Sequence, residues 1–367
     1  MTDTTTAPPA AARPAAAAAL LEHGLRTGRA DQTAAAERVI DFVCSELSPS
    51  GTFWGTWYRD SGWSQSWTHL KDGLHARTLG EATLFLLRAL RLRCHEAWRS
   101  SGHEAWRSSG RGAWLEAARS NLDVMAGRQR ADGNLGAIHD ARTGEVLSWS
   151  GASGLTWVAA LAEAEDLDDD GRYLRAAERA GDYYTSFVDA EFIYGAPEDV
   201  DLAPTSEDGY AAVMAYMALH RRTGHARWLD LARRAADWML TFRYSYNVRF
   251  GPRTPLGAYG FATRGGDQAS PSNQHLHAYG LVCTAELLEL AGALGDPFYA
   301  ERAYETLDCF RQLLPAADGD LNGYRGMITE RYYQTACFQP KGMYLTLSHA
   351  WSAGVLLLAC EQVLRRQ

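Results

Sequence analysis

Glu207-Asp-Gly-Tyr-Ala-Ala-Val-Met-Ala-Tyr-Met-Ala-Leu-His-Arg-Arg-Thr223, then Gly224-His225, then Ala226-Arg-Trp-Leu-Asp-Leu-Ala-Arg-Arg-Ala-Ala-Asp-Trp-Met-Leu-Thr-Phe-Arg243 is the stretch that decides the fold. Its first half carries no charge between Asp208 and His220 and reads as a helix buried on most sides. Its second half sets charges on one face and apolar residues on the other, the pattern of an amphipathic surface helix. A two-residue link turns the chain straight back, so the two form a helical hairpin.

The same pairing recurs in both directions. Helices are predicted over Pro14–Arg26, Asp31–Glu46, Gly73–Cys94, Gly112–Arg128, Ser153–Glu165, Gly171–Val188, Glu207–Thr223, Ala226–Arg243, Ser272–Leu294, Pro297–Leu314 and Leu345–Arg366, with almost no alternating strand pattern. Tight links at Thr27-Gly28, Leu167–Asp170, Gly224-His225 and Gly295-Asp296 alternate with long ones. The long ones are Ser48–Lys71, Gln129–Ala152, Asp189–Ser206, Tyr244–Pro271 and Pro315–Tyr344. In a chain of antiparallel helices alternate links lie at opposite ends, so all the long segments gather at one end. An inner ring of apolar helices inside an outer amphipathic ring is an all-α toroid, the (α/α)6 barrel, with long loops at one mouth. An octapeptide, His95-Glu-Ala-Trp-Arg-Ser-Ser-Gly102, is repeated as His103 to Gly110 and reads as a duplication at a turn on the opposite end.

Composition narrows the functions. The chain has 367 residues, 46% of them hydrophobic, enough for a sizeable core. No run approaches the roughly 18 apolar residues of a membrane span. A formal charge of -8 gives no basic face for nucleic acid. The six cysteines show no C-x-x-C spacing and suit a reducing compartment. Residues 1–12, rich in Thr, Pro and Ala, read as a flexible leader without the features of a secretory signal. The expectation is a cytoplasmic protein whose residues 13–367 form a single catalytic domain, with no metal and no cofactor.

Aromatics crowd the long loops. Phe53-Trp54-Gly-Thr-Trp57-Tyr58-Arg59-Asp60-Ser-Gly-Trp63-Ser-Gln-Ser-Trp67 fills the first, and Glu330-Arg-Tyr332-Tyr333 with Phe338 stands in the last. Trp149, Tyr244, Tyr246 and Tyr259 lie between them. Flat C–H faces of sugars stack on such rings, and their hydroxyls need charged or amide partners. The competing structural reading is that the rings pin the loops to the bundle.

The layout resembles the six-hairpin glycosidases, through Ser206-Glu-Asp-Gly-Tyr210 opening one inner helix and Gly265-Gly-Asp-Gln-Ala-Ser-Pro-Ser-Asn-Gln-His-Leu-His277 opening the next. That resemblance implies a carbohydrate substrate held in the loop-lined mouth and hydrolysis by acidic residues. Beside it, the residues themselves offer two-carboxyl chemistry. The candidates are Asp267, Glu207, Asp208, Glu330 and Asp72, with Asp60 a further mouth acid. Asp267 is expected to be free for chemistry because Ser270 as N-cap and Pro271 at N1 start the next helix without it. Glu207 and Asp208 compete with a capping role. Asp267 with Glu207 or Asp208 is the expected couple of a glycoside hydrolase, with inversion the first expectation. Trp54, Trp57, Arg59, Trp63, Trp149, Arg264, Gln268, Asn273, His275, Tyr332 and Tyr333 are the expected substrate contacts.

Three alternatives stay open. A sugar isomerase of the N-acylglucosamine 2-epimerase type would use histidines among His75, His275, His277 and His349, since imidazole titrates near neutrality. A polysaccharide lyase would use Asn273, His275 and Tyr279. A non-enzymatic helical-repeat scaffold would need a shorter period and short loops on both sides.

Overall fold

A computed structural model describes residues 12–101, 112–164, 167, 170–198, 200, 203–271, 274–345 and 350–366. Its helices alternate in character as the sequence does. We label them α1 (Ala12–Thr27), α2 (Ala30–Cys44), α3 (Ala76–Ser101), α4 (Gly112–Arg128), α5 (Leu155–Glu163), α6 (Arg172–Asp189), α7 (Ser206–Thr223), α8 (Ala226–Leu240), α9 (Thr284–Leu294), α10 (Phe298–Arg311) and α11 (Ala350–Leu364). Every residue of α5 is buried, and α7 is buried without a break from Ser206 to Leu219. In α8 the buried positions are Trp228, Leu231, Ala232, Ala235, Ala236 and Met239, one stripe at helical spacing. Burying a large apolar side chain of that stripe contributes about 1.5–3 kcal/mol.

Odd-numbered helices form the inner ring. α1 packs on α3, α3 on α5, α5 on α7, α7 on α9 and the 3₁₀ turn before it, α9 on α11, and α11 back on α1. The even-numbered helices pack outside their predecessors. The ring is therefore closed, which excludes an open repeat scaffold. Glycines in the left-handed conformation end α7 (Gly224, φ 68°) and α9 (Gly295, φ 66°), where the chain turns back most tightly.

The long segments bond one another in sequence around one end. Strand β3 (Gly73–His75) pairs with β4 (Ile138–Asp140), which pairs with β5 (Val146–Ser148). Ala152 N–H donates to the Tyr194 carbonyl and Ser206 N–H to that of Ala269. Leu276 and Tyr332 exchange backbone bonds, and Leu256 N–H reaches Gly342. A second hairpin, β1 (Thr56–Tyr58) with β2 (Gly62–Ser64), sits in the first long segment.

Three expectations change. The helix predicted from Ser272 begins as α-helix only at Thr284. Before it come β6 (Asp267–Gln268), antiparallel to β7 (Leu276–His277), and a 3₁₀ turn over Tyr279–Cys283. Ser270-Pro271 thus lies in a strand-to-strand connection and caps no helix. α3 continues to Ser101, so the first copy of the octapeptide ends that helix; the side chains of both copies lie outside the described residues, as does the leader through residue 11. No helix among the described residues is long and apolar enough to cross a membrane.

Candidate active site

The N-terminal ends of the inner helices point into the loop-bearing mouth, and a charged cluster forms where they converge. Arg77, in the first turn of α3, places Nη1 2.6 Å from Glu207 Oε2 in the first turn of α7. Arg77 Nε donates to Glu81 Oε1 at 3.0 Å, one helical turn further along α3. Tyr210 completes the clamp: it receives Arg77 Nη2 at 2.5 Å and donates its hydroxyl to Glu207 Oε2 at 3.1 Å. The guanidinium also lies 5.2 Å from the Trp351 ring centroid, at the start of α11.

The last long segment closes the cluster from the other side. Tyr279 donates its hydroxyl to Glu330 Oε1 at 3.2 Å, and Arg331 Nε reaches the same oxygen at 3.2 Å. Tyr279 feels the charges of Glu330, Glu207 and Arg77 together, and its ring packs edge-on against Trp351. Burial, with the nearby carboxylates adding to it, pushes the Tyr210 and Tyr279 phenols well above their ordinary range, so both remain O–H donors. His277 packs 4.3 Å from Tyr279 by ring centroids, and His275 lies 5.8 Å from His277 and 6.3 Å from Tyr333. Burial, aided by the Arg331 charge, lowers His275 to about 4. Burial also lowers His277 well below the imidazole range. Both imidazoles are neutral at pH 7.

Asp267 lies in a layer where β6 and β7 pair, directly across from His277. It is fully buried. Arg243 Nε stands 3.6 Å from Oδ1 and His277 Nε2 3.4 Å from Oδ2. Burial pushes this carboxyl up to about 6, against the pull of Arg243, the Ser206 hydroxyl and the Gly280 N–H.

The structure thus brings Glu207, Glu330, His275 and Tyr333 of the sequence-derived set to one centre. The others sit elsewhere. Asp208 is fully buried as the acceptor of a capping box: it takes the Thr205 N–H at 2.8 Å, the Thr205 hydroxyl at 2.7 Å and the Ala196 N–H at 2.7 Å. Burial nevertheless raises it to about 7. Asp72 stands in the turn before β3 with φ 56°. Tyr332 is fully buried and stacked on Phe261 at 5.3 Å with 3° between planes, which takes up a face a sugar would need. Trp57 and Trp63 pack on Phe42 of the outer helix α2, so their hairpin is pinned outside the ring. Trp54 packs against the core, and Arg59 is exposed. Trp149 lies under the Arg130 guanidinium at 4.8 Å. Arg264 is exposed and paired with Glu305 of α10. Gln268 donates to the Ser270 carbonyl at 3.1 Å within the β6–β7 connection. Asn273 and His349 lie outside the described residues.

Sequence reasoning passed over Arg77, Glu81, Tyr210 and Trp351. The signal was an Arg and a Glu four residues apart in a stretch of α3 that is otherwise free of charge from Ala76 to Leu87, since a buried charge needs a partner. Among the described residues no group of His, Cys, Asp and Glu forms a metal-ligand set.

No family model matches the sequence, and no curated protein matches it. Solved structures do match. A cellobiose 2-epimerase from Spirochaeta thermophila is similar with a TM-score of 0.64 at 12% identity, over 100% of this chain and 88% of that one. A D-mannose isomerase gives 0.63 at 12% identity, over 100% and 90%. A GH76 α-mannanase from Bacteroides thetaiotaomicron gives 0.62 at 13% identity, over 99% and 89%. At such identities the likeness is one of fold. The chain has the (α/α)6 barrel fold, which among these structures is shared by sugar-isomerising enzymes and a glycan hydrolase.

Proposed function

We propose that the protein is a carbohydrate-active enzyme that moves a proton beside the carbonyl of a free reducing sugar, a sugar isomerase or epimerase working in a reducing cytoplasm. One observation carries this reading: a neutral imidazole, His275, stands at the centre where the inner helices converge, while the two mouth-end carboxyls raised toward neutrality, Asp208 and Asp267, are sealed from the mouth. Glycoside hydrolysis needs a protonated acid within reach of the leaving oxygen. Glu207 is a poor candidate for that role because Arg77, 2.6 Å away, holds it charged. Proton abstraction needs a neutral base and donors for the oxyanion that develops. His275 takes the proton from the carbon next to the carbonyl and returns it after the double bond shifts. Arg77, which has N–H groups beyond those bonding Glu207, Glu81 and Tyr210, is the donor for the enediolate oxygens, and Glu207 and Glu81 fix the guanidinium.

A glycoside hydrolase is the second reading, favoured by two carboxylates near Tyr279, Glu330 bonded to its hydroxyl and Glu207 close enough for its charge to act on it. One incubation separates the two. Aldoses and aryl glycosides are offered in D2O and followed by NMR. Deuterium entering at the carbon next to the sugar carbonyl, without release of the aryl group, supports proton transfer. Release of the aryl group without exchange overturns it in favour of hydrolysis.

A further inference from the structure

Packing takes up the aromatic faces of Trp57, Trp63 and Tyr332, but Trp67 keeps its ring 48% exposed. That ring is nevertheless fixed in orientation. Its indole N–H donates to the Tyr58 hydroxyl at 3.3 Å, and its backbone N–H donates to Glu198 Oε2 at 2.8 Å. The residue before it, Ser66, gives its N–H to the Gly73 carbonyl at 2.9 Å and accepts the His75 N–H on its hydroxyl at 2.9 Å. An indole that served only to pin a loop would be covered. One held still in water presents a flat apolar face to a ligand.

The anchors fix where the ring stands. Gly73 and His75 are the two ends of β3, which leads within two residues to Arg77. Glu198 Oε1 accepts the hydroxyl of Thr78, the residue after Arg77. Glu198 comes from the segment leading into α7 and Trp67 from the one leading into α3, and α5 stands between those two inner helices. The two segments therefore meet over the mouth, next to the turn that carries the cation of the reaction centre.

We propose that Trp67 is the stacking platform of an outer subsite, and that the substrate is a reducing disaccharide. Its carbonyl-bearing unit lies at Arg77 and His275, and the C–H face of its second ring lies on the indole. Glu198 is a positioning residue that ties the platform to the first turn of α3. A second ring held there adds binding energy remote from the reacting atoms. The proposal rests on the reading of the centre as one that takes a free reducing sugar, so its test measures binding and proton exchange separately.

Isothermal titration calorimetry of the full chain compares cellobiose, maltose and lactose with glucose, mannose and galactose. The preferred disaccharide is expected to bind about three- to tenfold more tightly than the monosaccharide of its reducing end, the contribution of one stacked ring. Trp67→Ala should abolish that preference, and Trp67→Phe should keep most of it. Should Trp67→Ala not fold, Trp67→Leu, which keeps apolar bulk without a flat face, takes its place. Wild type that binds no disaccharide, or binds both classes equally, overturns the proposal, as does a preference that survives the loss of the ring. Deuterium exchange in D2O on the same sugars keeps the two readings apart. A Trp67-dependent preference without exchange removes the proton-transfer reading and leaves the platform standing. Exchange with both classes at equal affinity does the reverse.

Discussion

Arg77 holds Glu207 at 2.6 Å and Glu81 at 3.0 Å at once, with the Arg77 and Glu207 side chains only 13% and 11% exposed. One cation thus neutralises two shielded carboxylates from two inner helices. Removing it leaves both uncompensated, which costs about 3–5 kcal/mol for a broken buried pair. Arg77→Met should therefore lower the urea midpoint sharply and reduce kcat/KM by about 10²–10³, the loss expected for a donor to a developing oxyanion. Adding Glu81→Gln should restore part of the stability, because the two positions are coupled, and none of the turnover. Recovered turnover in the double variant would show that Arg77 has no part in the chemistry.

Asp208 gives the opposite pattern. Its carboxylate is engaged by the Thr205 and Ala196 N–H groups and by the Thr205 hydroxyl. Asp208→Ala removes the cap, at about 1 kcal/mol, and strands buried donors at about 1–3 kcal/mol. We expect the unfolding free energy to fall by about 2–4 kcal/mol while kcat stays within twofold. A large loss of kcat in folded protein would place Asp208 back among the groups that do chemistry.

This contrast marks what the sequence could disclose. The ring was legible because α5 and α7 are apolar on every side and α8 on one, and periodicity reports burial directly. Which of two adjacent residues faces the mouth was not, since it depends on a turn angle set by packing. Glu207 faces Arg77 and Asp208 turns into its own cap. Tyr333 lies toward His275 and Tyr332 toward Phe261, because neighbours in an extended segment point opposite ways. The β6–β7 hairpin stayed hidden because strands of two residues have no period to read. There the Ser-Pro start signal won by default.

Gly280 tests the layer beneath the centre. A Cβ there would lie 2.4 Å from Arg243 Nη2 and 2.8 Å from Asp267 Oδ2. Both side chains are buried and have little room to retreat. Gly280→Ala should cost about 1–3 kcal/mol through overpacking and lower kcat by displacing Asp267. Gly292, in α9 with nothing within 4 Å of its Cβ position, is the control. Gly292→Ala should raise stability by about 0.5–1 kcal/mol and leave kcat unchanged. Calorimetry of the two variants side by side decides it, and equal melting temperatures would refute the crowding argument.

Buried histidines and buried carboxyls set opposing pH dependences. Burial lowers His75 to about 3 and His139 and His275 to about 4, and His277 falls well below the imidazole range. As pH falls below about 6.5 the unfolded chain binds protons at these sites that the folded chain refuses, so each histidine removes about 1.4 kcal/mol of stability per pH unit. Asp208 and Asp267 have the reverse sign. With folded values of about 7 and about 6, they bind protons in the folded state well above the unfolded carboxyl range near 3.9, so acidification through that window stabilises the fold. Four protons against two leave a net loss of about 2.7 kcal/mol per pH unit between roughly pH 6 and 5, with a shallow slope near neutrality. His139 pairs with Leu74 across β3–β4, and the groups that act on its ring, Gly144, Leu135 and Arg128, are none of those assigned to the chemistry. His139→Gln should therefore reduce the slope by about half without altering kcat, and Asp208→Asn should steepen it. Urea unfolding at pH 5.0, 5.5 and 6.0 measures all three slopes, and a slope unchanged by His139→Gln would mean that this imidazole is protonated in the fold.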